Sequence, residues 1–258
     1  MNIEPIHAFD DNYIWLITCQ GSPSCAVVDP GDEEPVIEVL DQRGLRLASI
    51  LITHKHYDHT GGVAGLIKHY QNVIVFGPGN ESISQISCSV ADQQKISLPG
   101  MNLDFEVLSI PGHTEGHVAY LGNGVLFCGD TVFAGGCGRV FSGTFEQMSA
   151  SLERIRKLPP ETQLYCAHEY TLANLGFGLW VEPESELLQR RKQVVEAAVA
   201  QGIPTVPSSL QEELVTNPFL RVEQPNVIAA AEQWAGKPLK NNADVFTALR
   251  QWKDRDYD

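Results

Sequence analysis

The stretch Leu47-Ala48-Ser49-Ile50-Leu51-Ile52-Thr53-His54-Lys55-His56-Tyr57-Asp58-His59-Thr60-Gly61-Gly62 joins an apolar run to three imidazoles and a carboxylate packed into six positions. The apolar half predicts a buried strand, and a strand that ends in such a cluster brings several nitrogen and oxygen donors to one point. Mixed donors of this kind suit borderline cations such as Zn²⁺ or Fe²⁺. A solvated loop gives no reason for the spacing His-x-His-x-Asp-His, so the pattern is read as metal-binding.

On either side of this stretch, β-type and helical patterns alternate. Tyr13 to Thr18 and Cys25 to Val28 read as strands paired around the turn Gly21-Ser22-Pro23. Glu34 to Gln42 places Val36, Ile37, Val39 and Leu40 at helical spacing, and Gly44 stops that helix before the strand Leu47 to Ile52. Gly62 to Tyr70 repeats the helical pattern ahead of the strand Val73 to Phe76, which makes a βαβ rhythm. Further strands are expected at Leu103 to Ile110, Val118 to Leu121 and Val125 to Cys128, the last two joined by the turn Gly122-Asn123-Gly124. Strands and helices in this mixture imply sheets covered by helices.

Beyond about Tyr170 the pattern becomes helical. Helices are expected at Glu184 to Gln201, Asn226 to Trp234 and Asp244 to Trp252, with Ser208 or Ser209 capping a short helix through Leu214 and no strand. A domain boundary is accordingly placed there, giving a mixed strand-and-helix domain over 1–169 and a helical domain over 170–258.

A chain of 258 residues with 43% hydrophobic and 19% charged residues can bury a full core and is not a disordered polymer. Its formal net charge of −14 and its lack of any basic run argue against nucleic acid or an anionic membrane surface as partner. The N-terminal residues lack a basic segment and an apolar core, and no run is long enough to span a bilayer. The six cysteines include no C-x-x-C pair, which points to reduced thiols. A cytoplasmic protein is expected, and a monomer, since no apolar heptad argues for obligate assembly.

Three more donors close strand-like runs: His113 in Ile110-Pro111-Gly112-His113-Thr114, Asp130 in Phe127-Cys128-Gly129-Asp130-Thr131, and His168 in Tyr165-Cys166-Ala167-His168-Glu169. Taken singly, His113 or His168 reads as an ordinary hydrogen-bonded histidine; the recurrence alongside the opening cluster is what makes them candidates. With His54, His56, Asp58 and His59 the donors number seven, five His and two Asp. Seven exceed one tetrahedral site, so two divalent metals sharing a bridge are inferred, with Asp130 as the natural bridging carboxylate. Zn²⁺ is the first choice, and Fe²⁺ or Mn²⁺ fits the same donors. Of the remaining histidines, His69 reads as a solvated helix end, His117 as a structural neighbour of the site, and His7 carries no signal.

The ordered set His54-x-His56-x-Asp58-His59, His113, Asp130 and His168 resembles the metallo-β-lactamase superfamily, whose fold is an αββα four-layer sandwich. Within it, the chain resembles the glyoxalase II (hydroxyacylglutathione hydrolase) family over essentially its whole length. That narrower match is carried by Gly129 to Arg139, Ala167-His168-Glu169-Tyr170-Thr171, Asn217-Pro218-Phe219-Leu220-Arg221 and Leu249-Arg250-Gln251-Trp252-Lys253-Asp254. The resemblance implies a C-terminal α-helical domain. It also implies that His54, His56 and His113 serve one metal while Asp58, His59 and His168 serve the other.

The resemblance further implies a thioester hydrolase that cleaves S-D-lactoylglutathione, or a related 2-hydroxyacylglutathione, to glutathione and D-lactate. Arg139, Phe141, Tyr170, Arg250 and Lys253 occupy the positions that hold glutathione in the family. Phe141 stands where members carry Tyr, so one hydroxyl is missing, and Arg139 replaces the Lys of some members, turning a point charge into a planar fork. The chemistry is coherent: a hydroxide shared by two cations is a nucleophile at neutral pH, Asp58 and Asp130 orient it, and the thiolate leaving group makes little demand on a general acid. The main alternative is a persulfide dioxygenase of the same superfamily, with one iron and O₂ consumption; Asp58, His59 and His168 favour a second metal and the hydrolase. A β-lactamase lacks its export signal here, a metallo-RNase is disfavoured by charge, and a non-enzymatic metal-binding module is the remotest reading because no ligand is missing.

Overall fold

The computed structural model describes residues 1–257 and divides into two compact units, Met1–Ser109 with Gly116–Gly129, and Ile110–Glu115 with the described residues from Asp130 onward. In the first unit, β1 (Asn2–Ala8), β2 (Asn12–Thr18), β3 (Ser24–Val28), β4 (Arg46–Leu51), β5 (Ile74–Pro78) and β6 (Cys88–Val90) form one sheet in sequence order. β1 is the edge strand, which is why Pro5 is tolerated in it; the strand was not anticipated because Pro and scattered polar residues blur its alternation. β2 runs antiparallel to β1 and β3, whereas β3, β4, β5 and β6 run parallel.

Parallel neighbours need crossovers, and the helices α1 (Glu34–Arg43) and α3 (Val63–His69) supply them after β3 and β4. Gly44 ends α1 in the left-handed conformation with its N–H on the helix carbonyls, as the sequence predicts. Val36 and Leu40 of α1 and Val63 and Leu66 of α3 join Ile14, Leu16, Val27, Ile50 and Val75 in one apolar core. Between β4 and α3 lies the four-residue helix α2 (Tyr57–Thr60).

The unit continues with β7 (Lys95–Leu98), β8 (Leu103–Ser109), β9 (Val118–Gly122) and β10 (Val125–Gly129), paired antiparallel in succession. The turn between β9 and β10 has positive φ at both Asn123 and Gly124, which matches the strand twist and fulfils the expected hairpin.

In the second unit, β11 (Val132–Phe133) and β12 (Gly136–Cys137) make a short hairpin, followed by α4 (Phe145–Arg156), whose Thr144 and Gln147 form a reciprocal capping box. Next come β13 (Gln163–Cys166), α5 (Thr171–Val181), α6 (Glu186–Val199), β14 (Ser208–Ser209) and α7 (Leu210–Thr216). β14 pairs with β13 and corrects the expectation of a strand-free C-terminal part; two residues are too few to leave a periodic signal. Ser209 caps α7 through the Glu212 N–H, as expected. A 3₁₀ turn at Pro218–Leu220, α8 (Pro225–Ala235), α9 (Asn242–Trp252) and a π-helical turn at Lys253–Tyr257 complete the unit. No helix among the described residues is long and apolar enough to cross a membrane. All six cysteines are free thiols.

Candidate metal centre

In the first unit the donors hang from the end of β4 and from α2. Asp29, just after β3 and held at φ 51°, accepts from the Thr53 N–H and from Thr53 Oγ1, both at 2.7 Å. That hydroxyl has spent its only proton, so at 3.1 Å it accepts from His54 Nδ1. His54 Nε2 therefore carries the lone pair, and it lies 3.0 Å from His56 Nδ1. His59 turns Nδ1 to the same Asp29 carboxylate at 3.1 Å and Nε2 to Asp58 Oδ2 at 3.3 Å. Asn12 Nδ2 donates to Asp58 Oδ2 at 3.1 Å and fixes that carboxylate from the other side.

His54 and His59 are fully buried, with ring centroids 4.0 Å apart, while His56 and Asp58 are half-buried. His117 is buried and stacks on His54 at 4.7 Å, the structural role expected of it. Lys55 and Tyr57 point outward, with Tyr57 exposed at 74%. His69 lies half in solvent near Asp41, away from the donors of its unit. Gly129 has φ 48°, and a Cβ there would come within 2.4 Å of Thr53 Oγ1, so the residue behind that hydroxyl has to be glycine.

The second unit carries His113, Asp130 and His168. Asp130 Oδ2 sits between the two imidazoles, 3.5 Å from His113 Nε2 and 3.4 Å from His168 Nε2. His113 Nδ1 donates to the Arg139 carbonyl at 2.8 Å, so its Nε2 presents a lone pair toward the carboxylate. A Cβ on Gly138 would lie 1.9 Å from the Asp130 carbonyl oxygen, so glycine is what lets the loop pass that close.

These local geometries test the fit to a metal. In both units an imidazole has committed Nδ1 to a protein acceptor and aims Nε2 at a partner, and His59 and His113 aim it at carboxylates. Two electron-pair donors facing each other repel unless a cation lies between them, and outer acceptors on the ligating imidazoles are the usual companions of a metal site. The His and Asp groups of the chain are divalent-metal donors.

The remaining predicted residues belong to the second unit. Phe141, 63% exposed, meets His113 edge-on at 5.2 Å, and Tyr170 stacks nearly flat on His168 at 4.8 Å. Arg139 is half exposed, with Nε 3.6 Å from Asp254 Oδ1. Arg250 is 1% exposed, so it is no solvated helix end: Nη1 donates to the Cys137 carbonyl at 2.9 Å and the guanidinium lies 5.4 Å over Phe219. Lys253 is also buried, with Nζ 5.6 Å from the Tyr257 ring centre.

Behind this array, Asn217 Nδ2 donates to the carbonyls of Phe133 and Gly136, and Glu213 accepts from the Gly135 N–H while pairing with buried Arg191. Asn174 Nδ2 reaches the Ala134 carbonyl. The motif at Asn217 is thereby explained as the support of the β11–β12 hairpin. Asn12 and Asp29 were not singled out in the sequence; the only signal was an acidic residue closing the apolar run Ala26-Val27-Val28.

The metallo-β-lactamase superfamily model matches residues 8–82 and 93–168, and the model described as the hydroxyacylglutathione hydrolase C-terminus matches residues 169–256. A hydroxyacylglutathione hydrolase of Photobacterium profundum is 50% identical over 254 residues, covering 98% of this chain and 99% of the relative. One of Alkalilimnicola ehrlichii is 51% identical over 253 residues, covering 98% of each. Among solved structures, that of ETHE1 from Myxococcus xanthus superposes with a TM-score of 0.66 at 23% identity, over 96% of this chain and 90% of that one; it shows the shared αββα fold. On these matches the chain belongs to the hydroxyacylglutathione hydrolase family of the metallo-β-lactamase superfamily.

Proposed function

We propose that this hydrolase cleaves the thioester of S-D-lactoylglutathione, or a close 2-hydroxyacylglutathione, to glutathione and D-lactate. The observation that carries the reading is the meeting of metal donors with the family's glutathione positions: within the second unit Phe141 meets His113, Tyr170 stacks on His168, and the Arg139 carbonyl holds His113 Nδ1. The full-length likeness to hydrolases named for that substrate supports it. We further infer that the seven donors hold two divalent ions. His54, His56 and His113 would hold one, Asp58, His59 and His168 would hold the other, and Asp130 would supply the carboxylate they share. Zn²⁺ is the first choice, with Fe²⁺ and Mn²⁺ as substitutes.

Divalent cations in such a site supply Lewis acidity and a nucleophile at neutral pH. The protein's own residues do the rest. Asp58, fixed by Asn12, and Asp130, set between two imidazoles, present anionic oxygens that orient a proton-bearing nucleophile. Tyr170 and Phe141 offer ring surface beside His168 and His113 for the ligand to lie against. Arg139, Arg250 and Lys253 bring positive charge to an otherwise acidic chain, which suits a ligand with two carboxylates. The division at residue 169 then separates the metal-bearing part from a helical part that shares the grip on glutathione, with Tyr170, Arg250 and Lys253 after the boundary and Arg139 and Phe141 before it.

Removal of metal is the direct test. A chelator should abolish S-D-lactoylglutathione hydrolysis, and Zn²⁺, Fe²⁺ or Mn²⁺ should restore it; full activity in protein shown by elemental analysis to be metal-free contradicts the proposal.

A further inference from the structure

We propose that Asp254 is a positioning residue for the glutathione site, holding the Arg139 guanidinium by its Nε edge against an anchor provided by Arg250. The proposal rests on the glutathione thioester assignment and assigns a role to a residue in the terminal motif that the ligand contacts leave unexplained. Asp254 Oδ1 lies 2.9 Å from Arg250 Nη2 and 3.6 Å from Arg139 Nε, so one carboxylate oxygen faces two guanidiniums. Arg250 is the fixed member, buried at 1% exposure, bonded to the Cys137 carbonyl and seated over Phe219. Arg139 is the exposed member, with half of its side chain in solvent.

An isolated ion pair at such exposure contributes little, because two long side chains must be ordered to form it. Here one partner is already ordered. Asp254 sits in the π-helical turn Lys253–Tyr257, a conformation rare enough to mark functional sites, and its Oδ1 is placed by a buried arginine four residues earlier. The cost of fixing Arg139 therefore falls on one side chain only. A guanidinium has a side-on edge that includes Nε and an end-on edge of Nη1 and Nη2. With Asp254 on the first, a carboxylate ligand meets the second, in the bidentate geometry that makes Arg–carboxylate pairs strong. Lysine, which some members carry at the position of Arg139, has no second edge to hold. A negative charge beside an anion site thereby gains a purpose.

The full-length, metal-loaded enzyme can be titrated calorimetrically with S-methylglutathione, a thioether that cannot be hydrolysed. Asp254→Asn should weaken binding about tenfold, because a guanidinium no longer held at its Nε edge loses its bidentate geometry toward the ligand, and Asp254→Glu should recover most of the loss. In hydrolysis the same change should appear in KM, with kcat moved far less. In an Arg139→Ala background, Asp254→Asn should add less than about twofold, because the two residues act as one unit. Arg139→Lys, which keeps the charge and loses the Nε edge, should also bind about tenfold more weakly, and it tests the proposal even if Asp254→Asn fails to fold. An unchanged Kd in Asp254→Asn or in Arg139→Lys overturns the proposal, as does an undiminished effect of Asp254→Asn without Arg139. A wild-type protein that binds S-methylglutathione yet leaves the thioester intact removes the hydrolase reading alone; one that does not bind it removes both.

Discussion

Asp29 is the residue on which the first donor set turns. Its carboxylate receives Thr53 twice and faces His59, and through Thr53 it decides which nitrogen of His54 carries the lone pair. Asp29→Asn, close in shape but uncharged, should leave the fold intact and weaken metal affinity about 10–100-fold, the usual loss when an outer partner of a ligating histidine is removed. Metal content after dialysis against a graded chelator series measures this, and wild-type retention contradicts it. The seven candidate donors were legible because His and Asp at strand ends are conspicuous in sequence. Asp29 and Asn12 were not, since a lone acidic residue and a lone amide near a turn are common, and their meaning comes from contacts 24 and 46 positions away. Arg250 and Lys253 were legible as types but not as environments, because sequence cannot say that a terminal helix end is covered.

At the level of elements, the hairpin β11–β12 shapes the approach to Arg139, and it is held from the helical side by polar groups. Asn217→Ala would leave the Phe133 and Gly136 carbonyls without that amide and remove a partner of Glu213. A loss of about 1–3 kcal/mol is expected, read as a lower denaturant midpoint at unchanged m-value. A midpoint within error of wild type would show that the hairpin stands without it. The helices α1, α3, α6, α8 and α9 were readable from periodicity and caps. The helix α5 escaped because Leu172 to Val181 is apolar almost throughout and contains Gly176 and Gly178, so no polar face marks it. The glycines answer to packing instead: a Cβ on Gly178 would press on Leu188 of α6 at 3.2 Å, and one on Gly176 would strike the Tyr257 hydroxyl at 2.0 Å.

Across the whole molecule, buried thiols tie stability to pH. Burial pushes Cys25 and Cys166 up to about 12 and Cys137 up to about 11, from an ordinary 9.0. The folded chain keeps these protons after the unfolded chain has released them, so their contribution is whole below about pH 9 and is lost as pH rises through 11 to 12. Tm should fall across that alkaline window, and Cys→Ser replacement at the three positions should flatten the fall; an unchanged slope would contradict the thiol origin. The metal donors and the residues proposed to hold glutathione are expected to hydrolyse the thioester together, without oxygen chemistry. Incubating the metal-loaded chain with S-D-lactoylglutathione, while following thioester absorbance, released thiol and dissolved O₂ together, separates hydrolysis from oxygenation. One thiol per thioester lost and a flat oxygen trace are expected; oxygen uptake with the thioester left intact would overturn the hydrolase reading.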